Sequence, residues 1–400
     1  MTLNIFVSYN RKDIKYAQEI EKLLHASGLM AWRDLEYLPY GVDTENEIRR
    51  AIREDCKAFI LLITENSMKS DFIWNVEVNE AVKKARMGEE FLIIPIFYKE
   101  DLLSEFIHKS MNLFGENLGN QNGQILKENS VELNTQMLHK MIGRILEKLI
   151  YNDEFTKVKL YTHGEIPTSQ YSELVVDLRE SFKNNIPSED EWKNVIIPGF
   201  INIRTALLHK KKPQMKIWLP RRIHLSAALA FGWIFRENTG FEFIPSDILL
   251  QENPEKFYNP ELLLPMKEVI VKGENKEKNV AVLVSLTKDV RPTVQRLIEM
   301  SSYRYKVCVQ LTMNKIASNS IINTTHAKQL AKQTVESLVQ QKDLLKTTHT
   351  DLFISASVQY ATYLGYYLNA CGSFTFWQYS MLEDIHKPSI GLSVLYDHDS

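Results

Sequence analysis

Residues 57–81 read KAFILLITENSMKSDFIWNVEVNEA. The first part, AFILLIT, is apolar without a break. A strand with one face in water alternates; an unbroken run belongs to a strand covered on both faces, in a parallel sheet flanked by helices. The second part reads as a helix. Trp74, Val78, Ala81, Val82 and Ala85 form one apolar stripe at helical spacing, and Ser70 or Asp71 caps its start. Glu77 falls beside the stripe, where an acid in an early turn also suits the helix dipole.

Outward from this segment the alternation continues. NIFVSY is a first strand, KDIKYAQEIEKLLHASG a helix ending on Gly28, LMAWRD a second strand and DTENEIRRAIRED a helix capped by Asp43 or Thr44. EFLIIPIFY is a fourth strand, and TQMLHKMIGRILEKLI a final helix. Between them, 100–130 reads as a surface loop on its Gly and Asn content. Such alternation predicts an α/β fold with a parallel sheet. If its strand order is flavodoxin-like, ligands bind at the carboxyl ends of strands one and three, where the order reverses. Strand one ends in Ser8-Tyr9-Asn10-Arg11, and strand three leads to Glu77.

Composition narrows the function. The chain has 400 residues, 44% hydrophobic and 24% charged, enough for two or three domains. A net charge of -2 provides no global field toward DNA or an anionic membrane. Three scattered cysteines argue against a disulfide framework and for a reducing compartment. No Cys/His spacing points to a metal, and no apolar run is long enough to span a bilayer.

NIFVSYNRKD, then AWRDLEYLPYGVDTENEIRRAI, then the segment at 57–81, resemble a TIR domain in that order and spacing, over roughly residues 3–150. The resemblance implies that Glu77 is the acid that cleaves NAD. It further implies that Ser8, Tyr9, Arg11, Arg33, Asp34, Tyr40 and Trp74 bind NAD, and that Leu38, Tyr40 and Gly41 make TIR–TIR contacts. One departure stands out: the family tryptophan usually lies four residues before the glutamate, where this chain has Ile73 between Phe72 and Trp74. One carboxylate suffices chemically, because nicotinamide leaves a cationic pyridinium as a neutral molecule and needs no general acid, unlike an ordinary sugar leaving group. GxGxxG is absent, so NAD would be substrate, and no cofactor is implied.

The rest of the chain contains a repeat. KIWLPRRIHLSAALAFGWIFRENTGFEF and DLFISASVQYATYLGYYLNACGSFTF align Gly232 with Gly365, Ala228 with Ala361, and Phe241 and Phe243 with Phe374 and Phe376. Each reads as strand, loop, helix, strand, with earlier strands ELVVDLR and NVAVLVSLTKD. The two glycines lie mid-helix and predict close packing of helix on sheet. Two Rossmann-like halves bring LPRRIH and ISASVQ together at helix N-termini, an anion site. Arg221, Arg222, Lys288, Ser355 and Ser357 supply charge and donors there. This half resembles the SAVED domain, a fusion of two CARF-like units. The resemblance adds His224, Trp377 and Tyr379 to the candidates for binding a cyclic oligonucleotide, most simply a cyclic trinucleotide such as cyclic tri-adenylate.

The organisation expected is a flavodoxin-like TIR domain at 1–155, a connector at 156–164 and a SAVED domain at 165–400, with halves of about 165–265 and 266–400. A TIR followed by SAVED is similar to effectors of bacterial cyclic-oligonucleotide antiphage systems. It implies a cytoplasmic protein that binds the nucleotide, self-associates into an open filament, and hydrolyses NAD, without membrane or DNA. The competing reading is a non-enzymatic TIR adaptor carrying a nucleotide sensor; Glu77 favours the enzyme.

Overall fold

The computed structural model describes residues 3–392 except 34–42, 89–90, 121–122, 128–130, 151–154, 157, 167–173, 210–214, 245–266, 273–278, 302–303, 315, 319, 322, 348, 369–370 and 382. Asp34, Leu38, Tyr40 and Gly41 therefore lie outside the described residues.

The N-terminal unit is one sheet with order β2-β1-β3-β4-β5, every neighbouring pair parallel. Its strands are β1 (Asn4–Ser8), β2 (Met30–Trp32), β3 (Cys56–Ile63), β4 (Leu92–Phe97) and β5 (Gln124–Ile125). This is the flavodoxin-like order. β3 is buried at every position except Lys57, as its unbroken apolar run requires. Between the strands run α1 (Ile14–Ala26), α2 (Thr44–Arg50), α3 (Asn79–Arg86), α4 (Leu102–Phe114) and, last, α5 (Val131–Leu149). α4 corrects the loop reading of 100–130. Its Phe106 is fully buried against Phe97 and Trp74, so packing holds a helix there.

The stretch read as a connector contains β7 (Val158–Tyr161), which follows β6 (Phe155–Thr156) and pairs in parallel with β8 (Leu174–Asp177). α6 (Ile197–Leu208) then packs against α1 and α5. A Cβ on Gly199 of α6 would lie 2.4 Å from Ala26 O of α1, so only glycine admits this approach. Beside it, His139 of α5 bonds Asn194 O at 2.9 Å, and Asn202 bridges His139 and Ser27. The apolar core continues through this seam, from Leu24 and Leu146 to Phe200 and Phe231.

The repeat appears as two matching units. β9 (Met215–Trp218), α7 (Leu225–Ile234) and β10 (Phe241–Ile244) form the first, with β9 and β10 parallel neighbours. β11 (Lys267–Lys272), β12 (Val280–Ser285), α8 (Arg291–Met300), β13 (Val307–Thr312) and α9 (Thr324–Leu345) precede the second. That unit is β14 (His349–Ser355), α10 (Val358–Tyr367) and β15 (Ser373–Ser380), followed by β16 (Ile385–Leu392). Beyond the shared unit the halves differ among the described residues: the first has sheets β10-β9-β6 and β7-β8, the second a six-stranded sheet β11-β13-β12-β14-β15-β16. The two mid-helix glycines pack helix on helix, not helix on sheet as expected. A Cβ on Gly232 would sit 1.9 Å from Thr362 O, and one on Gly365 2.1 Å from Leu229 O. α7 and α10 thus meet backbone to backbone.

Candidate functional site

In the first sheet the order reverses at β1, between β2 and β3. Ser8 ends β1 and is buried, and its hydroxyl donates to the Glu77 carboxylate, itself only 5% exposed. The surrounding wall is tied together. Thr64 Oγ1 and Asn66 Nδ2 donate to the two oxygens of Asp13 at 2.6 and 2.8 Å, and Asn10 Nδ2 donates to Asn66 O at 3.3 Å. Thr64 and Ser67 form a capping box at the exit of β3. Ser70, as expected, accepts from Ile73 N.

Glu77 does not sit in regular α-helix. Ile73–Val78 is a π turn, one residue wider than an α turn, leading into α3. From this turn the Glu77 carboxylate meets Ser8, while Trp74, three residues earlier, packs into the core. Single π turns of this kind recur at functional sites.

The other residues expected around NAD scatter. Arg11 is exposed at the crevice end of β1, and Tyr9 is buried in the core. Arg33 is buried and paired with Glu21 of α1 at 2.6 Å, so its charge serves an internal ion pair. Trp74 is a correction. It is 1% exposed, donates from Nε1 to Ser67 O at 3.2 Å, and packs against Phe106 and Phe114 with Lys109 over its face. Its ring is core and presents no face to a ligand. Among the described residues no group of three or more His, Cys, Asp or Glu side chains could hold a metal ion.

A second site lies in the six-stranded sheet, where β13 and β14 flank β12 and the order again reverses. A cavity of about 450 Å³ opens at these strand ends, lined in part by His224, Lys288, Ser355 and Tyr379. Leu225 at the start of α7 and Ala356 just ahead of α10 also line it, so two helix N-termini converge on one space. Ser355 O accepts from the N–H groups of Leu286 and Thr287 at 3.0 Å, fixing the two strand exits together. Lys288 Nζ stands 5.3 Å from the Tyr379 ring centroid. His224 is held by Thr162 Oγ1 and Asn185 Oδ1, both at 2.8 Å; burial, helped by His163, pushes its pKa down to about 4. It is a neutral, fixed wall of the cavity.

Four expected residues stand elsewhere. Arg221 and Arg222 are exposed on the preceding loop and do not line the cavity. Ser357 spends its hydroxyl capping α10, accepting from Tyr360 N at 3.2 Å. Trp377 is 3% exposed and stacks on Phe353 on the sheet's other face, a second correction. Two cavity residues were not among those expected: Gln378, whose Oε1 accepts from Ser226 at 2.5 Å and whose Nε2 donates to Asn185 O at 2.7 Å, and His386, whose pKa burial and Lys288 lower to about 4. Strand alternation from the Phe374/Phe376 pair was the available signal: it puts Gln378 on their face and Trp377 on the opposite one.

Residues 5–117 match the family model of the TIR domain, and 218–392 match that of the SMODS-associated and fused to various effectors sensor domain, SAVED. The chain joins a TIR domain to a SAVED domain. Among solved structures it is similar to the Acinetobacter baumannii Cap4 SAVED/CARF-domain containing receptor with the cyclic trinucleotide 3'3'3'-cAAA, at 15% identity, 88% and 85% of the two chains and a TM-score of 0.48. The Moraxella osloensis Cap4 receptor gives 14%, 89% and 86%, and 0.44. No curated protein matches it. In the TIR domain Glu77 stands on the π turn at the switch point of the first sheet, and in the SAVED domain the cavity opens at the strand ends of the six-stranded sheet. No helix among the described residues is long and apolar enough to cross a membrane.

Proposed function

We propose that the TIR domain hydrolyses NAD to nicotinamide and ADP-ribose when the SAVED domain binds a cyclic oligonucleotide, depleting NAD as an antiphage response in the bacterial cytoplasm. The observation that carries this reading is the buried Glu77 carboxylate, aimed by a π turn at the switch-point crevice and hydrogen-bonded to Ser8. Departure of neutral nicotinamide leaves an oxocarbenium-like ribose. A carboxylate in a site this poor in water stabilises that cation strongly, because its field is little screened. Ser8 keeps the carboxylate oriented without protonating it.

Support for the sensor half is the cavity at the β12/β14 exits. Lys288 and two helix N-termini favour phosphodiesters, and Tyr379 offers a ring for base stacking. The ligand proposed is a cyclic trinucleotide such as cyclic tri-adenylate. Its binding drives head-to-tail assembly into an open filament, in which the segment with Leu38, Tyr40 and Gly41 completes a neighbour's site.

The test is nicotinamide release by the purified full chain with NAD, with and without cyclic tri-adenylate, alongside light scattering. Release that requires the nucleotide and vanishes in Glu77→Gln supports the proposal. Assembly on the nucleotide with no NAD loss would favour the adaptor instead.

A further inference from the structure

The π turn that aims Glu77 is gripped from outside by a neighbouring helix. In a regular α-helix Asn75 O would accept from the backbone N–H of Asn79. Here that N–H goes to Val76 O. Asn75 O is met instead by the Asn79 side-chain amide at 3.2 Å and by Arg49 Nη2 of α2 at 3.4 Å. The same guanidinium donates from Nη1 to Glu80, just past the turn, at 3.3 Å. Arg49 therefore binds a carbonyl inside the turn and a carboxylate two residues beyond it. Glu80 is buried and also accepts from Arg53 Nε at 3.0 Å. One helical turn on, the buried Lys84 ammonium donates to Ile52 O, Arg53 O and Cys56 O at 3.0, 2.7 and 2.8 Å. Those carbonyls belong to, or directly follow, a second π turn, Ala51–Asp55, which closes α2. The two widened turns are thus riveted side by side, Arg49 and Arg53 reaching one way and Lys84 the other.

We propose that Arg49 and Glu80 are positioning residues for Glu77: their clasp holds Ile73–Val78 in the π register that turns the carboxylate to Ser8. Neither touches the reacting atoms. Without the clasp the turn relaxes toward α geometry, and the carboxylate leaves the crevice. α2 directly follows residues 34–42, so the clasp also couples the orientation of α2 to that of Glu77. This inference rests on the reading of Glu77 as the catalytic carboxylate.

The experiment compares Arg49→Met, Glu80→Gln and the reversed pair Arg49→Glu/Glu80→Arg in the full chain, activated with cyclic tri-adenylate and supplied with NAD. Each single variant should lower kcat, by up to about a hundredfold, the cost that a misplacement of about 1 Å can carry. KM for NAD, nucleotide affinity and melting temperature should hold, and the reversed pair should recover part of kcat. Amide hydrogen exchange should quicken at 73–80 in the single variants and not across the sheet. Unchanged kcat, or a loss that only tracks a falling melting temperature, overturns the proposal. If the wild-type chain releases no nicotinamide, the catalytic reading fails on its own, and exchange at 73–80 still decides whether the clasp holds the turn: unaltered exchange there overturns it.

Discussion

Replacing Gly365 by alanine tests the packing that joins the two halves of the SAVED domain. Its Cβ would lie 2.1 Å from Leu229 O and 2.7 Å from Trp233 N, both on the facing helix, where ordinary contact begins at 3.4 Å. These neighbours are backbone, so no rotamer change relieves the clash and α7 and α10 must part by over an ångström. A gap of 0.5–1 Å already forfeits a quarter to a half of the dispersion between facing atoms. Overpacking of this kind costs about 1–3 kcal/mol, and a clash with main chain belongs at the upper end. Alanine returns ~1 kcal/mol through helix propensity. The net is a loss of about 2 kcal/mol, a fall in Tm of roughly 4–8 °C for a unit of this size. Because Leu225 and Ala356 line the cavity, the shift also loosens cyclic tri-adenylate binding. Calorimetry and a nucleotide titration on Gly365→Ala and Gly232→Ala measure both. In the double variant the second substitution should cost less than the first, since the helices have already separated. A Gly365→Ala protein as stable as wild type, with undiminished nucleotide affinity, refutes the argument.

Lys288→Ala should weaken cyclic tri-adenylate binding roughly ten- to a hundredfold, the worth of one charged hydrogen bond of about 1.5–3 kcal/mol. Arg221→Ala and Arg222→Ala, outside the cavity, should change it less; isothermal titration ranks the three. Trp74→Ala should destabilise the TIR domain by about 3–5 kcal/mol, the cost of emptying a core aromatic site, read by denaturant unfolding; a loss confined to KM for NAD would mark it as a substrate residue instead. His25, partly buried, and His139, buried, lie on the TIR side of the seam, and desolvation lowers each pKa from 6.5 to about 4. The unfolded chain binds the extra protons between those values, so stability falls as pH drops from about 6.5 toward about 4. The slope should be up to about 1.4 kcal/mol per pH unit for each ring, and His139→Gln should flatten the pH dependence of Tm by its share.

Much of this architecture was legible in the chain. The unbroken run of β3 declared a doubly covered parallel strand and the alternation around it an α/β sheet; the crevice at the ends of strands one and three followed only from a flavodoxin-like strand order, which the fold supplies. Topology then placed Glu77 opposite Ser8 with no residue between them in sequence to suggest the contact. The repeat was visible as matched glycines, alanines and phenylalanines. What the chain did not reveal was which inward surfaces meet. Arg33 stands as an NAD-binding candidate on the resemblance alone until the fold brings Glu21 to it from α1. Trp74 and Trp377 read as ring faces for a ligand until α4 and Phe353 cover them. Gly232 and Gly365 read as helix against sheet until the two helices are found crossing at those positions. The π turn at Glu77 has no periodic signature, because its register is set by Arg49, 26 residues away from the Asn75 carbonyl it touches. Periodicity records which face of an element avoids water, a local property of the chain. The partner of that face, and the backbone register it imposes, depend on contacts between distant segments, which exist only once the chain has folded.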